Sequence, residues 1–412
     1  MARDNFLVGL DIGAAKIALC VATILEDGLH IVGVSAVPHG GMRKGIINDP
    51  EETVSALTHA LEEVERMVGS NISHTYVSVS GPHVETQFAK GIVAVSKPSG
   101  DIDESDLARV MEAARTATLP QNRELIHTFP QRFLIDGQEE VRDPIGMKGV
   151  RLELDALVIS CSSIALRNIS KVVFQAGLEI DGFVFSPLAS AKILTTKKQR
   201  ENGVIVVDIG SGSTNITVYE EGQLLHAYCM PIGSTHITND LAIGLRTNLD
   251  VAEAIKNKFG SALPGNIREG ETINLSSLDP GESDKVSRKQ VAEIIEARVL
   301  EIFQIIKEEL QKIGKDGLLP AGIVFTGGGS ELEGITELAR THLRLPAQIG
   351  YPVVPLSGII DKIDSPIYAT SVGLVLWASD ERTNKGAPWK LELGKFGGVI
   401  DRFRGLLKNF TN

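Results

Sequence analysis

The sequence is poor in cysteine, in aromatic residues and in long apolar runs, and it carries no excess of positive charge. Its three cysteines, Cys20, Cys161 and Cys229, lie far apart with no metal-ligand spacing, so they read as buried reduced thiols rather than a disulfide or zinc framework. No apolar stretch approaches the ~20 residues of a spanning helix. The N-terminus shows no signal-peptide pattern, because Arg3 and Asp4 are followed by only a few apolar residues before Asp11. A net charge of -11 argues against general nucleic-acid binding. What remains is 412 residues, 43% hydrophobic and 23% charged, enough for two or more domains with substantial cores.

The chain is organised around Gly203 to Tyr219, GVIVVDIGSGSTNITVY. Val204 to Val207 is a continuous apolar run, the pattern of a strand buried on both faces. It ends in Asp208, and Gly210, Ser211, Gly212, Ser213 and Thr214 follow as a turn rich in backbone donors and hydroxyls. Asn215 to Tyr219 reads as the returning strand. A carboxylate beside such a turn can hold a cation against phosphates that the turn's N–H groups cradle. Alone, the segment could equally be an ordinary Gly-Ser hairpin. Leu7 to Val21, LVGLDIGAAKIALCV, repeats the pattern with Asp11 and Gly13. Two such hairpins suggest a duplicated core that clamps one polyphosphate from two sides.

Between them, Leu29 to Val37 reads as a third strand. Asp49, Pro50 and Glu52 form a helix start, and His74 to Ser80 forms another strand. Residues 83–161 read as an insertion without a catalytic cluster, in which His127 is a surface or satisfied core histidine. Helices are expected over Ser163 to Gly177, after Pro187, and from Ile237 to Leu245. Another should run from Val251 to Phe259, capped by Asp250. Ser287 and Gln290 should form a capping box for a long helix. Glu253 and Lys256 share a helix face and read as a surface ion pair or as ligand contacts. Ala321 to Thr326 is a buried strand leading into Gly327, Gly328, Gly329 and Ser330, and then directly into a helix N-terminus facing a ligand.

Residues 380–394 read as a linker. Beyond it, Phe396, Val399, Ile400, Phe403, Leu406, Leu407 and Phe410 recur with helical spacing, and Lys395, Arg402, Arg404 and Lys408 occupy other positions. This is the pattern of an in-plane membrane helix, which would gain about 1 kcal/mol per cation near anionic lipid. The alternative is a C-terminal helix docked on the body.

From about residue 6 to 378 the chain resembles the actin, heat-shock-chaperone and sugar-kinase ATPase superfamily. GLDIGAAKI at Gly9 to Ile17, the insertion and the tail resemble FtsA within it, the bacterial actin-like cell-division family. The resemblance implies an α/β actin-like fold of two ribonuclease-H-like halves, with an inserted subdomain and an amphipathic C-terminal helix. The halves would comprise 1–82 with 162–199, and 200–226 with 306–379; 227–305 would be a nucleotide-contacting subdomain. It implies ATP bound by Asp11, Gly13, Ala14, Ala15, Lys16, Asp208, Gly210, Ser211, Gly212, Ser213, Thr214, Asn215, Glu253, Lys256, Gly327, Gly328, Gly329 and Ser330. Mg2+ would sit at Asp11 and Asp208, largely through waters. It further implies filaments, membrane attachment at the division site on the cytoplasmic face of the inner membrane, and docking of the FtsZ C-terminal tail on 227–305. Arg288 and Arg298 are possible contacts there, each also readable as a solvated helix residue. Later division proteins would be further partners. Ser186 stands where many relatives carry a water-positioning glutamate, which implies slow or negligible hydrolysis. A PilM-like pilus protein and a sugar-kinase or chaperone ATPase are the alternatives.

Overall fold

A computed structural model describes residues 6–26, 28–116, 119–281 and 285–383. Two sheets share one plan. In the first, strands Phe6–Ile12, Lys16–Leu25 and Gly28–Pro38 form an antiparallel meander. His74–Val79 and Glu179–Phe185 then add in parallel beside the first strand. In the second, Val204–Ile209, Thr214–Glu220 and Gln223–Met230 form the meander, and Ile323–Thr326 and Ala347–Ile349 add in parallel. The first sheet gains one further edge strand, Leu356–Gly358, contributed by the chain after the second sheet is complete.

The parallel strands require crossover helices, and the sequence supplies them. Pro50–Val68 starts where Asp49 accepts the Glu52 N–H at 3.0 Å, and ends at Gly69 with φ 73°. Its buried face, including Leu57, Leu61 and Val64, covers the first sheet. Ser234–Leu245, Leu249–Phe259 and Arg288–Lys312 cover the second. Val204–Ile209 is buried at every position, which is why its apolar run does not alternate. Each such side chain contributes roughly 1.5–3 kcal/mol of burial.

An inserted four-stranded antiparallel sheet, ordered Val84–Ala94, Arg151–Ser162, Arg123–Ile135 and Glu139–Val141, interrupts the first half after His74–Val79. Helix Glu104–Thr116 packs Leu107, Val110, Met111 and Ala114 into its own core. His127 is a core histidine satisfied at one nitrogen only: its Nε2 accepts the Phe185 N–H at 3.0 Å, joining the insert to the first sheet, while its buried Nδ1 has no partner among the described residues.

Each half ends in a helix, Ser186–Leu194 or Ala369–Thr383, and the two pack against each other at the molecular centre. Thr370 and Ser190 hydroxyls meet at 2.9 Å across that contact.

Several local expectations need correction. The cap of Leu249–Phe259 is Asn248, whose side chain accepts the Val251 N–H at 2.9 Å; Asp250 lies inside the first turn. Ser287 caps its helix through the Gln290 N–H, without the reciprocal bond of a capping box. The final helix continues to Thr383 instead of yielding to a linker at 380. It continues because Glu381 accepts from the Tyr76 hydroxyl at 2.7 Å, Arg382 donates to the Phe6 carbonyl at 2.7 Å, and Asp380 pairs with Lys192. The remaining linker and the 395–412 helix lie outside the described residues.

Candidate functional site

The two hairpin turns have the same backbone design. Ile12 pairs with Ile17, and the Gly13 N–H donates to the Lys16 carbonyl at 3.0 Å. Ile209 pairs with Thr214, and the Gly210 N–H donates to the Ser213 carbonyl at 2.9 Å. Both turns therefore hold four residues, and both follow a strand that carries aspartate two positions before the first glycine. The duplicated sheets bring them face to face across a cleft of about 700 Å³.

Asp11, Gly13, Ala14, Ala15 and Lys16 line this cleft from one half. Asp208, Gly210, Ser211, Gly212, Ser213 and Asn215 line it from the other, with Gly327, Gly328 and Gly329 beside Asp208, and Glu253 and Lys256 line it beyond Ser234. Thr214 and Ser330 do not reach it. The Thr214 hydroxyl is buried and donates to the Ile232 carbonyl at 2.8 Å, while Ser330 donates to the Gly327 carbonyl at 2.7 Å. Both hydroxyls support the loop backbone. The triple glycine also does not open an α-helix: a 3-10 turn, Gly328–Glu331, intervenes, and Ile335–Leu343 begins only after Gly334 with φ 81°.

Asp208 is buried, and burial together with the nearby Asp11 carboxylate pushes its pKa up to about 7, against the pull of Lys16. Asp11 accepts from the Ser78 hydroxyl at 2.6 Å. Lys16 is buried too, and burial lowers its pKa despite Asp11, Asp208 and Glu331; its Nζ donates to the Ile367 carbonyl at 2.5 Å. The Ser186 hydroxyl and Asn215 Oδ1 also line the cleft, buried and without partners among the described residues. Buried polar atoms of this kind call for a water or an ion. Two carboxylates and two orphaned oxygens fit a hydrated Mg2+. Among the described residues no three His, Cys, Asp or Glu side chains could enclose a metal by themselves. That suits an ion held mainly by water and phosphate, where it would neutralise phosphate charge.

At the opposite end, Glu253 accepts from Lys256 Nζ at 2.6 Å, from Asn257 at 3.2 Å and from the Thr238 hydroxyl. Burial raises the Glu253 pKa, but these bonds outweigh it and hold the group below its ordinary range. Lys256 also donates to Thr238 at 3.0 Å, so the pair is a built cluster rather than a loose surface ion pair. Sequence reasoning missed Ser80, Ser234, Glu331 and Thr370, which also line the cleft. Only the fold brings their loops together.

Arg288 and Arg298 are already engaged. Arg288 donates to the Phe259 carbonyl at 3.2 Å and pairs with Glu271 at 3.0 Å and Glu333 at 3.5 Å. Arg298 holds both oxygens of Asp240, at 2.6 and 2.9 Å, and also pairs with Glu301.

The strand-to-loop corner after Thr326 depends on glycine at two positions of three, since a Cβ on Gly329 would stand 2.4 Å from Ile209 Cγ2 and 2.9 Å from the Ile209 carbonyl. Gly327 has φ 79°, and a Cβ there would stand 2.3 Å from Asp208 Oδ1 and 2.6 Å from the Ile209 carbonyl. At Gly328 the nearest atom would be Ile367 Cγ2, at 3.8 Å. Gly327→Ala is expected to destabilise the ligand-free protein by about 2–4 kcal/mol, from left-handed strain and overpacking. Gly328→Ala should change it by less than about 1 kcal/mol. Thermal melting of the two variants checks this, and equal melting temperatures would contradict the assigned corner.

The family model for cell division protein FtsA matches residues 205–373, and the model for the SHS2 domain inserted in FtsA matches residues 81–160. Cell division protein FtsA of Pseudomonas aeruginosa is 38% identical over 381 residues, covering 92% of this chain and 91% of that protein. FtsA of Bacillus subtilis is 36% identical over 378 residues, covering 92% and 84%, and that of Escherichia coli K12 is 34% identical over 388, covering 92% of each. Among solved structures, the PilM-PilN type IV pilus biogenesis complex aligns with a TM-score of 0.67 at 17% identity, over 90% of this chain and 98% of the matched one. MreB5 of Spiroplasma citri bound to ADP aligns with a TM-score of 0.55 at 12% identity, over 93% and 99%. These likenesses establish the actin-like fold.

Proposed function

The chain belongs to the FtsA family of cell division proteins, and on that premise we propose that it binds Mg-ATP between its halves, polymerises, and tethers the FtsZ ring to the cytoplasmic face of the inner membrane. The observation that carries the nucleotide reading is the pair of equivalent hairpin turns facing one cleft, each preceded by a carboxylate. Their N–H groups would receive the phosphates, and Asp11 and Asp208 would hold Mg2+ through water. Glu253, Lys256 and Gly327 to Gly329 would take the ribose and base. The MreB5 fold neighbours carry ADP and AMPPNP, which supports the choice of ligand.

Hydrolysis should be slow. Ser186 presents a short neutral hydroxyl to the cleft, and a hydroxyl does not orient an attacking water as a carboxylate does. Nucleotide would close the halves and favour filaments. A filament presents many tails at once, so weak single-tail binding becomes strong. The FtsZ tail would dock on 227–305; Arg288 and Arg298 could contribute only by exchanging their present carboxylate partners. Later division proteins would join the assembled filament. Among the described residues no helix is long and apolar enough to cross a membrane. Attachment would rest on the apolar and basic pattern of 395–412.

Co-sedimentation with anionic vesicles tests this reading. The full chain should sediment with vesicles, more so with Mg-ATP, and a chain stopped at Gly394 should remain in the supernatant. Equal sedimentation of both chains would overturn the tail assignment. Loss of the nucleotide dependence alone would overturn the coupling to filaments.

A further inference from the structure

A two-stranded hairpin, Met42–Arg43 with Ile46–Ile47, projects from the first half at the rim of the cleft. Its tip is Lys44-Gly45, and both residues have positive φ, 51° and 78°. A two-residue loop of that kind favours Asn-Gly or Asp-Gly, because few side chains tolerate the left-handed conformation. Lysine is a poor choice for the first position on structural grounds. Glu221-Gly222 makes the same kind of turn at another hairpin, with φ 53° and 78°, so it is the place of Lys44 and not its conformation that marks it.

The tip occupies a particular place. A Cβ on Gly212, in the second phosphate turn, would lie 3.0 Å from the Lys44 nitrogen and 3.3 Å from Ala14 Cβ in the first turn. A Cβ on Gly45 would lie 2.5 Å from the Ser80 carbonyl oxygen. Lys44 therefore stands where the two turns converge, with Met42 and Gly45 lining the cleft beside it. The other end of the second turn faces away from it: Ser234 donates its N–H to Gly210 and its carbonyl faces Lys256. Along that turn the order runs from the Glu253–Lys256 end, through Gly210 and Ser211, to Gly212 and Lys44.

We infer that Lys44 is the residue that recognises the terminal phosphate of a bound nucleoside triphosphate. This rests on the nucleotide reading above. A ligand whose base lies at the Glu253–Lys256 end extends its phosphate chain toward Gly212. The exposed Lys44 ammonium sits on a four-carbon stem whose backbone is already against that turn. It reaches a third phosphate and not the first two, so it sets preference for triphosphate over diphosphate. Lys16 cannot substitute freely, because it is buried and donates to the Ile367 carbonyl.

Calorimetric titration of the full chain with Mg-AMPPNP and with Mg-ADP tests the assignment, alongside melting of the ligand-free protein. Lys44→Asn places a better turn-former at the tip, so it should melt at or above the parent temperature. It should nevertheless bind Mg-AMPPNP at least tenfold more weakly and Mg-ADP within twofold of the parent. Lys44→Arg should restore most of the triphosphate preference. Unchanged AMPPNP affinity in Lys44→Asn would overturn the inference, as would equal losses for both nucleotides. A parent chain that binds neither nucleotide would overturn the nucleotide reading itself, which those two outcomes leave standing.

Discussion

Gly373→Val is expected to leave little folded protein. Gly373 lies within the helix Ala369–Thr383, where a Cβ would stand 2.0 Å from the Ala189 carbonyl oxygen and 2.4 Å from its carbon. Both are backbone atoms of the buried helix Ser186–Leu194 and cannot swing aside. The same helix is pinned from another side, since a Cβ on Gly9 would stand 2.2 Å from the Ser371 carbonyl oxygen. A strand of the first half and the terminal helices of both halves thus meet with no space for a side chain. Ordinary overpacking costs about 1–3 kcal/mol. A branched side chain against fixed backbone on both sides should cost about 5 kcal/mol or more, a large share of a typical stability. Gly373→Ala should fall between the parent and the valine variant. Soluble yield and thermal melting measure the effect, and a valine variant that melts with the parent would contradict this packing.

The second large effect is the stability that buried neutral histidines contribute and lose in mild acid. His127 is buried against Trp377, with ring centroids 5.1 Å apart, and burial pushes its pKa down to about 3. His83 has neither ring nitrogen partnered among the described residues; burial, with Arg123 nearby, lowers its pKa to about 4. In the unfolded chain each histidine gains a proton near pH 6.5, roughly. The unfolded state then binds more protons than the folded one, so the contribution is complete above that pH and is lost as pH falls toward the folded values. Each such group costs about 1.4 kcal/mol per pH unit within its window. Asp208 acts in the opposite sense. Its raised pKa of about 7 means that the fold gains stability as pH falls toward the ordinary carboxylate range. Asp181 and Glu381, whose pKa burial also raises, act in the same sense as Asp208, so the histidine contribution is read by difference against a variant and not from the net slope.

His127→Gln separates these contributions, because glutamine can still accept the Phe185 N–H but does not titrate. It should be less stable than the parent at neutral pH through lost packing. Between about pH 4.5 and pH 6 its stability should fall less steeply than the parent's, by about 1.4 kcal/mol per pH unit. Denaturant unfolding across that range reads the difference. Parallel curves for the two proteins would show that His127 is not held neutral by the fold.

The division between what the sequence determined and what the fold decided follows the range of the interactions. The strands ending at Asp11 and Asp208, the turns after them and the helix start at Asp49 are all local. Each depends on residues within a few positions of one another, where apolar runs, glycines and caps act directly on the backbone. The duplication was legible for the same reason, since both turns repeat one local pattern, and the actin-like fold was implied by the family resemblance that those turns help to carry. Local preference also failed locally. Asp250 looked like a cap, but Asn248 sits two positions earlier and takes the role. The final helix outran its expected end because Glu381 and Arg382 found partners at Tyr76 and Phe6, about 300 or more positions away in sequence.

The site itself was legible only in part. Its residues could be named wherever a glycine turn marked them, but nothing in the sequence says that Thr214 and Ser330 turn inward while Ser80 and Thr370 face the cleft. Those outcomes depend on which side of a strand or loop meets the other half, and this is set by packing between elements far apart in the chain. The same holds for Gly373 and Lys44. A glycine in an apolar helix and a lysine in a short loop are unremarkable as sequence. The close backbone of Ala189 and the turn at Gly212 give them their meaning, because steric exclusion and charge placement act through space and not along the chain.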